Sequence, residues 1–243
     1  MKNRDKVALI VGAGDGIGMA IMRKFAQEGL IVCGARRNGK KLTPLIEELN
    51  TKRLIAHAFS CDARKEDAVI DLFSQIEKEI GMIEVVIFNV GANVPMKLLE
   101  TDTRKFYKIW EMACYAGFLT GREAARYMIK RQRGTILFSG ATASVRGSAG
   151  FAAFASAKHG LRALAHSMAR ELGPQNIHVA HVIIDGAVDT LWIRQNHPDY
   201  ETLKIKQGII EPADLAENYV TLYKQPKTTW TLELDIRPWS EKF

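Results

Sequence analysis

The sequence predicts an α/β fold: a doubly wound parallel sheet of seven strands in a single domain, spanning residues 1–243. Three observations predict it. Short apolar runs with β propensity alternate with longer helical patterns, which is how βαβ units read along a chain. A length of 243 residues suits one α/β unit, since such folds run to roughly 250 residues. No internal repeat, low-complexity tract or Pro/Gly-rich linker interrupts the alternation. With 47% hydrophobic and 25% charged residues, the chain can bury a sizeable core, which excludes general disorder.

Taken in order, strands are expected at 7–11, 30–34, 54–60, 85–89, 135–139, 178–184 and 231–234. Helices are expected between them at 16–27, 42–49, 65–80, 103–131, 151–172 and 212–223. Several ends carry a signal. Thr101 or Asp102 can cap the fourth helix, Gly173-Pro174 stops the fifth, and Pro212 suits a first helical position, where its missing N–H costs nothing. In the fifth helix Leu161, Leu164, Met168 and Leu172 recur at spacings of three and four, a stripe that faces the sheet as core. The stretch 186–211 is long for a connection and is expected to be a lid over a substrate site.

Composition and charge exclude several classes. Met1 to Lys6 lead into a short apolar stretch with neither the apolar region nor the cleavage site of an export signal. No apolar run approaches the ~20 residues that cross a bilayer, so a cytoplasmic protein with no membrane partner is expected. Cys33, Cys61 and Cys114 are odd in number and widely spaced, and they are expected as free thiols. His178 and His181 share a strand but, three apart, point to opposite faces, so no metal site is expected. The net charge of +7 is scattered rather than gathered into an aromatic-bearing stripe, which argues for a solvated surface and an anionic cofactor, not nucleic acid.

The first strand runs into Gly12-Ala13-Gly14-Asp15-Gly16-Ile17-Gly18, followed at once by a helical pattern. In this strand-turn-helix setting, missing Cβ atoms let backbone N–H groups approach a pyrophosphate at a positive helix end. The other reading is a purely structural glycine turn. The spacing of Gly12, Gly16 and Gly18 resembles the short-chain dehydrogenase/reductase family, and matches continue along nearly the whole chain. They are Asp62 after the third strand, Asn89-Val90-Gly91 where the family has Asn-Ala-Gly, and Lys158 at the lysine of Y-x-x-x-K. Asp185-Gly186-Ala187-Val188-Asp189-Thr190 stands where the family has P-G-x-x-x-T. The resemblance implies a Rossmann-type sheet and a dinucleotide held by Gly12, Gly14, Asp15, Gly16, Ile17, Gly18, Asp62, Ala63, Asn89, Gly91, Lys158, Gly186, Val188 and Thr190.

The end of the second strand reads Gly34-Ala35-Arg36-Arg37, where an acid would bind the 2′-hydroxyl of NAD. Two guanidiniums and no carboxylate there favour NADP(H) over NAD(H). Asp15 is a contrary sign, and plain surface charge is the other reading of Arg36 and Arg37.

The resemblance also implies hydride exchange with a carbonyl or alcohol carbon, assisted by a tyrosine, a lysine, a serine and an asparagine. Matched position by position, the tyrosine is Phe154, the serine Ala141 and the asparagine Cys114; Lys158 alone matches. Thr142, Ser144, Ser148, Ser156 and Tyr115 are candidate polar lining near the nicotinamide, with capping or loop roles as the other reading. Three readings stand: a divergent NADP-dependent oxidoreductase of unknown substrate, a catalytically inactive NADP(H)-binding sensor or subunit, and a different reaction such as reduction of an activated double bond. Trp192, Ile193 and His197 are candidate pocket residues of the lid. Family members commonly pair through the two long helices, so a homodimer or homotetramer is expected. Ala152, Ala153, Ala155, Ala157, Ala163, Ala165 and Ala169 allow close packing; fitting the helix to its own sheet is the alternative.

Overall fold

After Lys6, the strand β1 (Lys6–Val11) is apolar and buried on both faces, as the centre of a parallel sheet requires. Val7, Leu9 and Val11 enter one hydrophobic cluster and Ala8 and Ile10 another, so the two-residue period of the strand divides the core into two layers. The computed structural model describes residues 5–91 and 93–241. Met1 to Arg4, read above for an export signal, lie outside them.

Six further strands join β1: β2 (Ile31–Arg36), β3 (Ala56–Ser60), β4 (Met82–Phe88), β5 (Gly134–Ser139), β6 (Ile177–Ile184) and β7 (Glu233–Ile236). Their spatial order is β3-β2-β1-β4-β5-β6-β7, every pair parallel. The order reverses between β1 and β4, and the crevice beyond the carboxyl ends of those two strands is where such sheets bind ligands.

The helices are α1 (Ile17–Gln27), α2 (Thr43–Thr51), α3 (Glu66–Glu79), α4 (Thr103–Trp110), α5 (Ala116–Arg131), α6 (Ala152–Leu172), α7 (Leu191–Asn196), α8 (Tyr200–Ile205) and α9 (Pro212–Lys224). Residues of α1, α2 and α9 bury one face of the sheet; those of α3, α5 and α6 bury the other. The predicted stripe of α6 lies in the second layer, with Leu161 and Leu172 buried and Leu164 and Met168 packed against them. A smaller cluster of Ile109, Ala113, Cys114, Ala143, Ala153, Phe154, Ala155 and Ala157 forms apart from both layers.

Five expectations about elements need correction. The helix expected over 103–131 is capped by Asp102, which accepts a bond from the Lys105 N–H at 2.7 Å, but it is broken by a π-helical turn at Glu111–Tyr115. Apolar periodicity does not reveal one extra residue in a turn; contact with α6 does, since a Cβ on Gly160 would lie 2.9 Å from Cys114 Sγ. The last strand is Glu233–Ile236 rather than 231–234, because Thr231 donates its N–H to Gln225 and accepts from His178 while Trp230 stacks on His178. Leu54 closes α2 through its bond to Leu49 O (3.0 Å) instead of opening β3. The second and fourth strands are longer or shifted, β2 running on to Arg36 and β4 covering Met82–Phe88, with Asn89 beyond its end.

The long connection 186–211 holds the short helices α7 and α8, and a bridge between Val188 and Ile210 closes its base. Of the alanines expected to face a partner helix, Ala153, Ala155, Ala157 and Ala165 pack into the chain's own core, while Ala152 and Ala163 are exposed.

Candidate active site

The glycine turn is built by strict backbone demands. Gly12 has φ +93°, a left-handed conformation, and a Cβ there would lie 2.6 Å from the carbonyl oxygen of Asn89 at the end of β4. The N–H groups of Gly12 and Ala13 both bond to Ala35 O, at 2.9 and 3.1 Å, tying the turn to β2. Asn89 donates its side-chain N–H to Gly12 O at 3.1 Å and braces the turn from the other side. Gly16 and Gly18 are pinned by close neighbours, Thr190 and the Gly12-Ala13 backbone. Gly14 differs: a Cβ there would meet nothing within 4 Å. The turn therefore opens outward at Gly14, in front of the uncapped N-terminus of α1.

Two cavities meet at this turn. One, of about 580 Å³, is lined by Arg36, Arg37, Asp62, Ala63, Asn89 and Gly91, and by Asn38, Lys41 and Arg64, which sequence reasoning passed over. Arg36 is paired with Asp15 at 2.5 Å, so part of its charge is already matched. Arg37 is exposed. Asp62 is held below the usual carboxylate range first by its hydrogen bond with Arg64, against the effect of burial, and Arg37 adds to the lowering.

The second cavity, about 680 Å³, is lined by the glycine turn, Asn89, Gly91, Ala141, Phe154, Lys158, Gly186, Val188 and Thr190, and by Trp192, Ile193 and His197 of the 186–211 connection. Most residues singled out in the sequence thus converge on one groove. Asp15 and Cys114 do not line either cavity. Asp15 is turned to Arg36, and Cys114 is buried in the small cluster around Phe154.

Lys158 is almost wholly buried and donates to Ser139 O at 2.8 Å and Val90 O at 3.2 Å. Burial lowers its pKa to about 8, with Cys114 acting in the opposite sense. One helical turn before it, the Phe154 ring stands 5.9 Å from the ammonium. A phenyl face attracts the cation but has no proton to exchange. Burial raises the Cys114 thiol above its ordinary value, which Lys158 only partly opposes, so the thiolate is disfavoured.

Two buried carboxylates near the rim were not singled out. Asp189, between Val188 and Thr190, accepts from Arg194 (2.6 Å), Lys204 (2.6 Å) and Tyr200 (3.2 Å), and so ties α7 and α8 to the segment after β6. Asp185 accepts from the Thr142 hydroxyl at 2.5 Å. Its position was legible, since it stands where the matched motif has proline; its partner was not.

Comparison with known proteins agrees with this geometry. A model of the short chain dehydrogenase family matches residues 6–201. A 3-oxoacyl-[acyl-carrier-protein] reductase of Bos taurus is 29% identical over 226 residues, covering 93% of this chain and 94% of the relative. The crystal structure of a short-chain dehydrogenase from Rhodopseudomonas palustris is 49% identical, with a TM-score of 0.83 over 96% of this chain and 99% of that one. A metagenomic short-chain oxidoreductase in complex with NADP is 26% identical, with a TM-score of 0.81 over 96% of each chain.

Proposed function

The chain belongs to the short-chain dehydrogenase family, and from that premise we propose that it is an NADP(H)-dependent oxidoreductase of carbonyl or alcohol substrates with an atypical proton-transfer site. The observation that carries this reading is the continuous groove from Arg37 past the glycine turn to Lys158, with its open face at Gly14. Bound there, a nicotinamide dinucleotide supplies or accepts the hydride. The uncapped N-terminus of α1 faces its pyrophosphate. A lysine ammonium has three donors; two are committed to Ser139 and Val90, and the third serves a ribose hydroxyl. Arg37 and Lys41 supply positive charge for a 2′-phosphate, and Arg36 joins them once the phosphate competes with Asp15.

Calorimetry with NADPH and NADH tests the cofactor. NADPH is expected to bind at least about tenfold more tightly, one charge-assisted hydrogen bond's worth, and Arg36→Ala with Arg37→Ala is expected to remove the difference. Equal affinities in the native protein would refute the preference.

A second reading, a catalytically inactive NADP(H)-binding protein, is favoured by Phe154 and Ala141 at the positions of the family's phenol and hydroxyl. Turnover against a panel of alcohols and carbonyls separates the two. In either case a homodimer or homotetramer is expected. The half-exposed Phe106, Tyr107, Trp110 and Phe118 on α4 and α5 offer an apolar face for it, and light scattering is the check. Among the described residues, no helix is long and apolar enough to cross a membrane.

A further inference from the structure

Resting on the oxidoreductase reading, we propose that Thr142 and Asp185 form the proton relay of this site: Thr142 accepts the proton of a substrate alcohol and passes its own to Asp185. The pair is placed by the sheet. Strands β5 and β6 are neighbours in a register that sets Ser139 beside Val182. Three residues beyond each of these, past the ends of both strands, come Thr142 and Asp185, so the hydroxyl and carboxylate emerge side by side at the carboxyl edge. They meet at 2.5 Å.

The direction of that bond decides what the pair can do. Asp185 is buried, with Arg146 and Arg237 each at 3.5 Å. A carboxylate between two guanidiniums accepts and does not donate, so the shared proton belongs to Thr142. Thr142 lines the larger cavity immediately after Ala141, with Phe154 and Lys158 on its walls. What it offers there is a lone pair. That suits an alcohol O–H better than a carbonyl oxygen, and the pair is set for oxidation.

The step balances. The carbinol carbon gives its hydride, with both electrons, to the oxidised nicotinamide. The alcohol proton goes to Thr142 Oγ1, the Thr142 proton goes to Asp185, and the carbonyl product forms as the C–H and O–H bonds break. Asp185 then releases the proton to water. Thr142 is the catalytic residue because it touches substrate; Asp185 is a positioning residue acting through it. The charged groups around Asp185 are Arg146 and Arg237, with Glu241 paired to Arg146 and Asp235 to Arg237.

The test uses the whole chain with 2-octanol and cyclohexanol as probes of the apolar cavity. The first readout is equilibrium binding of each alcohol to the unreactive protein–NADPH complex, followed by nicotinamide fluorescence. Thr142→Val is expected to weaken it about tenfold, the loss of one hydrogen bond, while Thr142→Ser keeps it and NADPH affinity stays unchanged. The second readout is NADP-dependent oxidation. Thr142→Val is expected to lower kcat/KM about 10²-fold or more, and Asp185→Asn to lower kcat with little change in KM. Alcohol binding and turnover indifferent to Thr142→Val, or a kcat unchanged in Asp185→Asn, would overturn the relay alone. A native protein that binds NADPH but turns over no alcohol or carbonyl would overturn the oxidoreductase reading and the relay together. Should Asp185→Asn fail to fold, the Thr142→Val and Thr142→Ser comparison still decides the matter.

Discussion

The two ends of the groove are made of different material. At the glycine turn the structure is backbone: Gly12 is confined by Asn89 O, Gly18 by Ala13 and Gly12, and the turn is bonded to Ala35. At the Lys158 end it is side chains, with Phe154 on α6 and Ala141 in the turn after β5. The contrast teaches that the turn is protected by the fold at Gly12, Gly16 and Gly18, where a side chain would collide with Asn89, Thr190 or the turn's own backbone, while Gly14 stays open. The Lys158 end is not so constrained, and Phe154 packs in the cluster with Ile109 and Ala153.

The largest test of that contrast installs the groups that the proposed matching to the family assigns to Phe154 and Ala141. Ala141→Ser with Phe154→Tyr places a phenol one helical turn from Lys158 and a hydroxyl beside it. NADPH-dependent reduction of small ketones is expected to rise by about 10²-fold, the lower part of what a positioned acid supplies, with NADPH affinity unchanged. No gain in rate would overturn that matching.

A second pair of substitutions probes the backbone end. Gly12→Val imposes a β-branched residue at φ +93° against Asn89 O and is expected to destabilise the fold by about 2 kcal/mol or more and abolish NADPH binding. Gly14→Ala, which enters open space, is expected to change stability by less than about 1 kcal/mol while still weakening NADPH, because the added methyl stands in the path of the pyrophosphate. Denaturant melts and fluorescence titration on both variants check this. Equal destabilisation would break the comparison.

The smallest effect concerns acidity beneath the proton-transfer end, where His181 packs behind Gly140. Burial lowers the His181 pKa to about 4, with Glu233 pulling the other way. Burial also opposes ionisation of Glu233, but Arg162, His181 and His166 together hold it at about 2. Both shifts are downward, so their stabilisation is whole above the ordinary histidine value near 6.5 and is lost as pH falls. The histidine part goes between about 6.5 and 4, the carboxylate part below about 4.5. Between pH 7.5 and 5 the loss from His181 is expected to be about 2 kcal/mol. His181→Gln should flatten that interval in urea melts, and hydrogen exchange should show the Gly140 end loosening before the glycine turn.

Much of this protein was determined by the sequence alone, because the relevant forces are local. Apolar alternation set seven strands and the helices between them; Asp102 and Pro212 marked helix starts; the glycine spacing, the paired arginines and Lys158 marked the groove. Tertiary structure decided what depends on which distant groups meet. The π-helical turn exists against α6, β7 shifts because Thr231 and Trp230 are claimed by Gln225 and His178, and Arg36 turns to Asp15. Asp185 illustrates the division. Its identity stands in the sequence at an unusual place, but its partner Thr142 lies 43 residues away. Strand register, set by the packing of whole faces, brings the two together, and no local pattern encodes that contact.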